Sequence, residues 1–210
     1  MADAGVKTDS RDCLQQENGS MPGNAATRSA GSVIPRLAAI RIADDTATDD
    51  LLESVIQTLR QEGKTVAGFI QRQGRPDLSG HAEMILEDIS GGRQYCISQP
   101  LGRDSRGCRM DPRAVADIAG PFLEAIATRP DLLVLNRFGK GESEGQGFRA
   151  VFEKAFLLGI PVLTSVKEIY AGAWEAFAAD CSASLLPALE DVLDWSRAAV
   201  AQSGSEQLEK

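Results

Sequence analysis

The sequence predicts an α/β protein: a three-layer sandwich built on a mainly parallel sheet, with one inserted β-hairpin. Three observations carry that expectation. Short apolar runs alternate with stretches whose apolar residues recur at helical spacing. The most strand-like run, Asp131-Leu-Leu-Val-Leu-Asn136, is continuous rather than alternating, as a strand covered on both faces requires. Ser90-Gly91-Gly92 separates two strand-like segments, which marks a hairpin.

Residues 1–35 are rich in Ser, Gly, Asn, Ala and charge, with Pro22 and Pro35 as breakers and no apolar period, so they are expected to form a disordered tail. A single domain is expected over residues 36–201. Leu37 to Ala43 reads as a buried strand, followed by a helix in which Leu51, Leu52, Val55, Ile56 and Leu59 share a face until Gly63 stops it. Lys64 to Ile70 is a second strand, and the strand-helix-strand order implies a parallel crossover. Ala82–Asp88 and Arg93–Ser98 form the hairpin, with Cys96 expected in the core. Asp111-Pro112 opens a helix with proline at its first turn, and Pro121 predicts a kink or break within it. After the strand at 131–136 come a helix around Phe148, Val151, Phe152 and Ala155 and a strand at Ile160–Ser165. Tyr170 to Val200 reads as helical, with Pro187 in the first turn of the last helix, and polar residues 202–210 are expected to fray.

Composition excludes several classes. The chain has 210 residues, 43% of them hydrophobic, and a formal net charge of -8. An acidic chain opposes binding to nucleic acid or anionic membranes, which attract a basic face. No apolar run reaches the length of a membrane span, and no secretion signal is visible, so a cytoplasmic location is expected. Four widely scattered cysteines without C-x-x-C spacing indicate neither a disulfide framework nor a zinc ribbon. No cofactor is named by any motif.

The turn after the first strand holds Asp44, Asp45, Asp49 and Asp50. A phosphate-binding loop carries glycines and a lysine there, and carboxylates at a helix N-terminus repel a triphosphate. The cluster reads either as helix capping, with Thr46 and Asp49 in a capping-box spacing, or as a cation site. Asn136, Arg137 and Lys140 follow the central strand, at the sheet edge where ligands of open α/β folds collect. A covering loop with Arg103, Arg106 and Arg109 would add donors for a small oxyanion or phosphorylated ligand, unless those arginines form a solvated face. Cys108, between Gly107 and Arg109, is a candidate soft ligand or nucleophile, and with His81 a candidate metal pair. Trp174 and Phe177 serve as core anchor or as interface.

Val66-Ala-Gly-Phe-Ile70, the hairpin from Met84 to Ser90, Gln99-Pro-Leu-Gly102, Gly107-Cys-Arg-Met-Asp111 and Leu135-Asn-Arg-Phe-Gly-Lys140 with Glu142 and Phe148 are together similar to a known pattern. The chain resembles the small nucleoside-triphosphatases first described in thermophiles, and more closely an uncharacterised bacterial family related to them that is often encountered with molybdenum-uptake genes. The resemblance spans about two thirds of the chain and implies a P-loop-type fold. In the active enzymes the strand ends in an acidic pair, here replaced by Asn136 and Arg137, while Gly139 and Lys140 remain. Losing that pair together with the phosphate loop argues against hydrolysis. The expectation is a non-hydrolytic ligand-binding or accessory protein with a degenerate phosphate loop, using Asn136, Arg137, Lys140, Arg103, Arg106, Cys108, Arg109, Asp44 and Asp45, and by resemblance serving molybdenum or oxyanion handling. Two alternatives stand beside it: a nucleoside-triphosphatase with an atypical phosphate site, and a protein-interaction module. A small anionic ligand is the expected partner, and a homo-oligomer is compatible with the reading.

Overall fold

The structure, a computed structural model, describes residues 33–42, 45–76, 80–99 and 109–208. Seven strands form one sheet. In chain order the elements are β1 (Leu37–Ile42), α1 (Asp45–Gln61), β2 (Val66–Pro76), β3 (Ala82–Asp88), β4 (Gln94–Cys96), α2 (Pro112–Ala125), β5 (Leu132–Phe138), α3 (Lys140–Ser143), α4 (Arg149–Leu158), β6 (Val162–Lys167), α5 (Ala171–Ala178), β7 (Ser182–Leu185) and α6 (Leu189–Leu208). The strand order is β4-β3-β2-β5-β6-β1-β7. From β2 to β7 every pairing is parallel, and β3 and β4 extend the β2 edge as antiparallel strands. The expected hairpin is therefore an edge extension of the parallel sheet, and β1 and β2 are separated by β5 and β6 rather than adjacent.

Alternation along the parallel strands sends side chains into two cores. Leu37, Ala39, Leu133, Leu135, Val162 and Val166 face α2, α4 and α5, where they meet Val115, Phe122, Val151, Phe152 and Trp174. Ala38, Ile40, Leu132, Val134 and Leu163 face α1 and α6, against Leu52, Val55, Leu59, Val192 and Trp195. Both faces of the sheet are thus covered, which is why these strands read as continuous apolar runs. On the first face Phe138, Phe152, Trp174 and Phe177 form an aromatic cluster with centroids 5.2–6.1 Å apart, so Trp174 and Phe177 are a core anchor.

Gly68 in β2 has φ +126°, a region that L-residues avoid. A Cβ there would overlap the Val134 carbonyl oxygen and stand 2.7 Å from its carbon. The glycine within Val66-Ala-Gly-Phe-Ile70 is thus what lets β2 lie against β5.

Several sequence expectations are corrected. α2 begins as expected, with Asp111 accepting from the Arg113 N–H at 2.9 Å and Pro112 in the first turn, but it runs through Pro121 without a break. The stretch from Tyr170 to Val200 is not wholly helical: β7 lies within it and pairs with β1. Pro187 precedes α6 instead of lying in its first turn. Residues 202–208 do not fray but continue α6. There the Gln202 side chain exchanges hydrogen bonds with the Ile34 backbone at 2.7 and 3.2 Å, and Arg36 pairs with Glu206. The Trp195 indole donates to Pro35 O at 3.1 Å, so residues 34–36 are held by α6; residues 1–32 of the expected tail lie outside the described residues. Cys96 is exposed on the edge strand rather than in the core. Among the described residues no helix is long and apolar enough to cross a membrane.

Candidate functional site at the carboxyl edge of the sheet

The strands β1, β5 and β6 end together, and the chemistry of the chain gathers there. β5 carries one residue too many at this point: Leu135 pairs with Thr164 and Phe138 with Val166, so three steps on β5 match two on β6. This bulge falls on Asn136 and Arg137, and Arg137 adopts φ +124°, a strained conformation for a residue with a Cβ. A bulge re-aims the side chains beside it. Here it presents both residues to the first turns of α1.

Asp45 and Asp49 are four residues apart on α1 and so share a face. Arg137 Nη1 lies 2.7 Å from Asp45 Oδ2, and Nη2 lies 3.4 Å from both oxygens of Asp49. The Asn136 amide donates to Asp49 Oδ1 at 2.7 Å, and Lys167, the last residue of β6, donates to Asp45 Oδ2 at 2.8 Å. Ser165 Oγ lies 3.4 Å from Asn136 Oδ1 and steadies that amide from behind. Thr46, already inside α1, is therefore not the N-cap of a capping box with Asp49, and Asp45 and Asp49 do not form an open cation cluster. They are the counter-charges of two cations supplied by strand ends.

The two carboxylates titrate in opposite directions. Burial pushes Asp45 up, but Lys167 and Arg137 together outweigh it and hold its pKa below the usual value. Burial also pushes Asp49 up, and there it prevails over Asn136 and Arg137, so its pKa is raised. Asp45 thus contributes stability that is present at neutral pH and lost as the pH falls through its folded pKa. Asp49 works the other way, its contribution being present in acid and lost as the pH rises. Asp45→Asn is expected to lower the urea midpoint at neutral pH, with a deficit that shrinks toward about pH 3, where free carboxylates are protonated. Asp49→Asn, whose amide oxygen still accepts from Asn136, is expected to be the milder change at neutral pH. Urea titrations of the three proteins at both pH values check this, and equal deficits would contradict it.

Beside this network, on the face of the sheet that carries α2, lies a cavity of ≈ 260 Å³. Met84, Leu86, Ile97, Met110, Val115, Phe138 and Phe148 form its apolar wall. Its polar side has Gln71, Asn136, Arg137, Lys140, Glu142, Lys167 and Tyr170. Glu142 is buried and fully engaged: Oε2 accepts from Gly139 N and Oε1 from Phe148 N, both at 2.9 Å. It shapes the loop after β5.

Residues 37–195 match the family described as Protein of unknown function (DUF2478). The chain belongs to that family. It is also 34% identical over 162 residues to a protein of Bradyrhizobium diazoefficiens (strain JCM 10833 / BCRC 13528 / IAM 13628 / NBRC 14792 / USDA 110) named Molybdenum import ATP-binding protein ModC 2. That match takes in 77% of this DUF2478 chain and 18% of the relative's length, so the chain spans under a fifth of the curated protein it resembles. Among solved structures it is similar to a human cancer-related nucleoside triphosphatase, with a TM-score of 0.54 at 18% identity over 81% of this chain and 98% of the other. It is also similar to THEP1 from the hyperthermophile Aquifex aeolicus, at 0.50 and 13% identity over 75% and 96%. These two likenesses show the fold, a nucleoside-triphosphatase-type α/β sandwich.

Of the residues singled out from the DUF2478 sequence, Asn136, Arg137 and Lys140 do come together at the sheet edge. Asn136 and Arg137 are committed to Asp45 and Asp49, however, and so are not free ligand donors as expected. Lys140 is about half exposed, with only a loose contact to Glu144 at 3.8 Å. Arg109 is directed elsewhere: its guanidinium donates to Ala82 O at 3.2 Å and braces the hairpin. Asp44, Arg103, Arg106 and Cys108 lie outside the described residues. His81 is exposed ahead of β3 and does not line the cavity, and no group of three or more His, Cys, Asp or Glu residues suited to a metal is found among the described residues. The sequence does not mark Lys167, because the strand expected there ends at Ser165, whereas β6 runs to Lys167. Carried two residues further, the rule that ligands gather at carboxyl ends of strands would have found it.

Proposed function

We propose that this DUF2478 protein is a non-hydrolytic ligand-binding or accessory protein on a nucleoside-triphosphatase-type scaffold, holding a small anion in the cavity at the carboxyl edge of the sheet. One observation carries the reading: the ion-pair network of Asp45, Asp49, Arg137 and Lys167. A nucleoside-triphosphatase needs backbone N–H groups and a lysine around the phosphates, and an aspartate at a strand end to hold Mg²⁺. In this chain the helix end bears carboxylates, which oppose phosphate, and the strand ends bear cations, which oppose Mg²⁺. The two signs are reversed together and neutralise one another.

Lys140, with only a loose partner, is the cation beside the cavity for an anion that arrives without a metal, and Lys167 has two ammonium donors beyond the one it gives Asp45. The name of the relative, a molybdenum importer's ATP-binding protein, supports placing the protein, whatever anion its cavity holds, beside molybdenum or related oxyanion handling. A thermal-shift series with molybdate, tungstate, sulfate, phosphate and Mg·ATP tests the proposal. At least one metal-free anion is expected to raise the melting temperature with its concentration. Mg·ATP is expected to do no better than free phosphate and to yield no phosphate release. Tight Mg·ATP binding with turnover abolished by Asp45→Ala would overturn it.

A further inference from the structure

Resting on the anion-binding reading, we propose that the cavity takes an aromatic acid, a flat ring system bearing one anionic group, rather than a bare oxyanion. The division of its wall is the reason. A tetrahedral oxyanion needs donors on all sides, yet Met84, Leu86, Ile97, Met110, Val115, Phe138 and Phe148 close one side of this cavity with apolar surface. Leu86, Ile97, Val115, Phe138 and Phe148 are all buried, so that wall belongs to the core and does not turn away to offer backbone donors. An ion seated against it would lose hydration there without replacement, which is costly.

A ring would instead gain from the same surface. Met84 and Met110 bring two of the four methionines of the sequence to one cavity, and thioethers adapt to and attract aromatic faces. Phe148 presents a ring already held 5.2 Å from Phe69. On the polar side, Lys140 and Lys167 offer ammonium groups, and Arg137 Nε is buried and, among the described residues, has no hydrogen-bond partner. The half-buried Gln71 amide has no hydrogen-bond partner among the described residues and can serve a ring heteroatom. Glu142 is the opposing charge in the wall, but its oxygens accept from Gly139 and Phe148. At ≈ 260 Å³ the cavity stands just under the ~300 Å³ where ligand pockets usually begin, which suits one small ring system with one acid.

Calorimetric titration of the whole chain with 2-naphthoate, neutral 2-naphthylmethanol and inorganic phosphate is the test. 2-Naphthoate is expected to bind at least about tenfold more tightly than either of the others. Met110→Gln should remove most of that advantage while leaving phosphate unaffected, and Lys140→Ala, an exposed change, should weaken both anions. Phosphate or molybdate binding as tightly as 2-naphthoate would overturn this inference and leave the anion reading standing. Equal binding of the acid and the alcohol would overturn the role of the cations and so the inference. No binding of any anion would overturn both.

Discussion

Gly68→Ala is expected to destabilise the protein by about 4 kcal/mol, combining backbone strain and overpacking. The two causes are independent. At φ +126° a Cβ is disfavoured wherever it points, and here it points into the Val134 carbonyl of the neighbouring strand. The obstacle is backbone in the middle of a parallel pair, so no rotamer change relieves it; β2 and β5 must separate. Because domains of this kind are stable by only about 5–15 kcal/mol, a loss of this size should show as a large drop in urea midpoint and in soluble yield. Gly120→Ala is the control: that glycine lies in α2 with nothing near its prospective Cβ, and the change should be neutral or stabilising. If Gly68→Ala unfolds at the wild-type midpoint, the close approach of the two strands is wrong.

Arg137→Ala is expected to cost about 2–3 kcal/mol, between the values for exposed and for buried pairs. The side chains of Arg137 and Asp49 are 19% and 20% exposed, so solvent screens part of the loss. The loss is nonetheless larger than for a surface pair, because Asp45 and Asp49 would face each other with only Lys167 and Asn136 as compensation. A second substitution separates charge from backbone. Arg137→Gly also removes the guanidinium but relieves the positive φ, so it should be less harmful than Arg137→Ala by about 1 kcal/mol, the reverse of the usual order in a strand. A double-mutant cycle between Arg137→Ala and Asp45→Ala should show coupling. Additive effects would mean that the pair contributes nothing.

Much of the fold was legible because it is local. β1, β5 and β6 carry their burial in continuous apolar runs, and α2 announces its start through Asp111 and Pro112. β7 was missed for a physical reason: Ser182-Ala-Ser-Leu185 is weakly apolar and half exposed, and it becomes a strand only by pairing with β1, some 145 residues earlier in sequence. The end of α6 was missed likewise, since Gln202 and Glu206 look like a polar tail until Ile34 and Arg36 are seen to hold them. At the site, the sequence displayed an acidic helix start and a basic strand end but not their contact. Asp49 and Arg137 are 88 residues apart, and nothing in either segment names the other. The consequence reversed their meaning: residues expected to meet a ligand meet each other, and the apolar half of the cavity, drawn from β3, β5, α2 and the loops around them, could not be assembled from one dimension.

The reciprocal exchange of charge between α1 and β5 also limits how this protein can change over generations. Arg137→Asp alone would bring a third carboxylate against Asp45 and Asp49, and Asp49→Lys alone would set an ammonium beside Arg137. Each step taken singly raises like-charge repulsion in a half-sheltered place. A concerted swap at both ends would keep the charges balanced. Single charge reversals at either end are therefore expected to destabilise the fold, and a laboratory attempt to seat a metal-nucleotide there should alter both ends in the same clone.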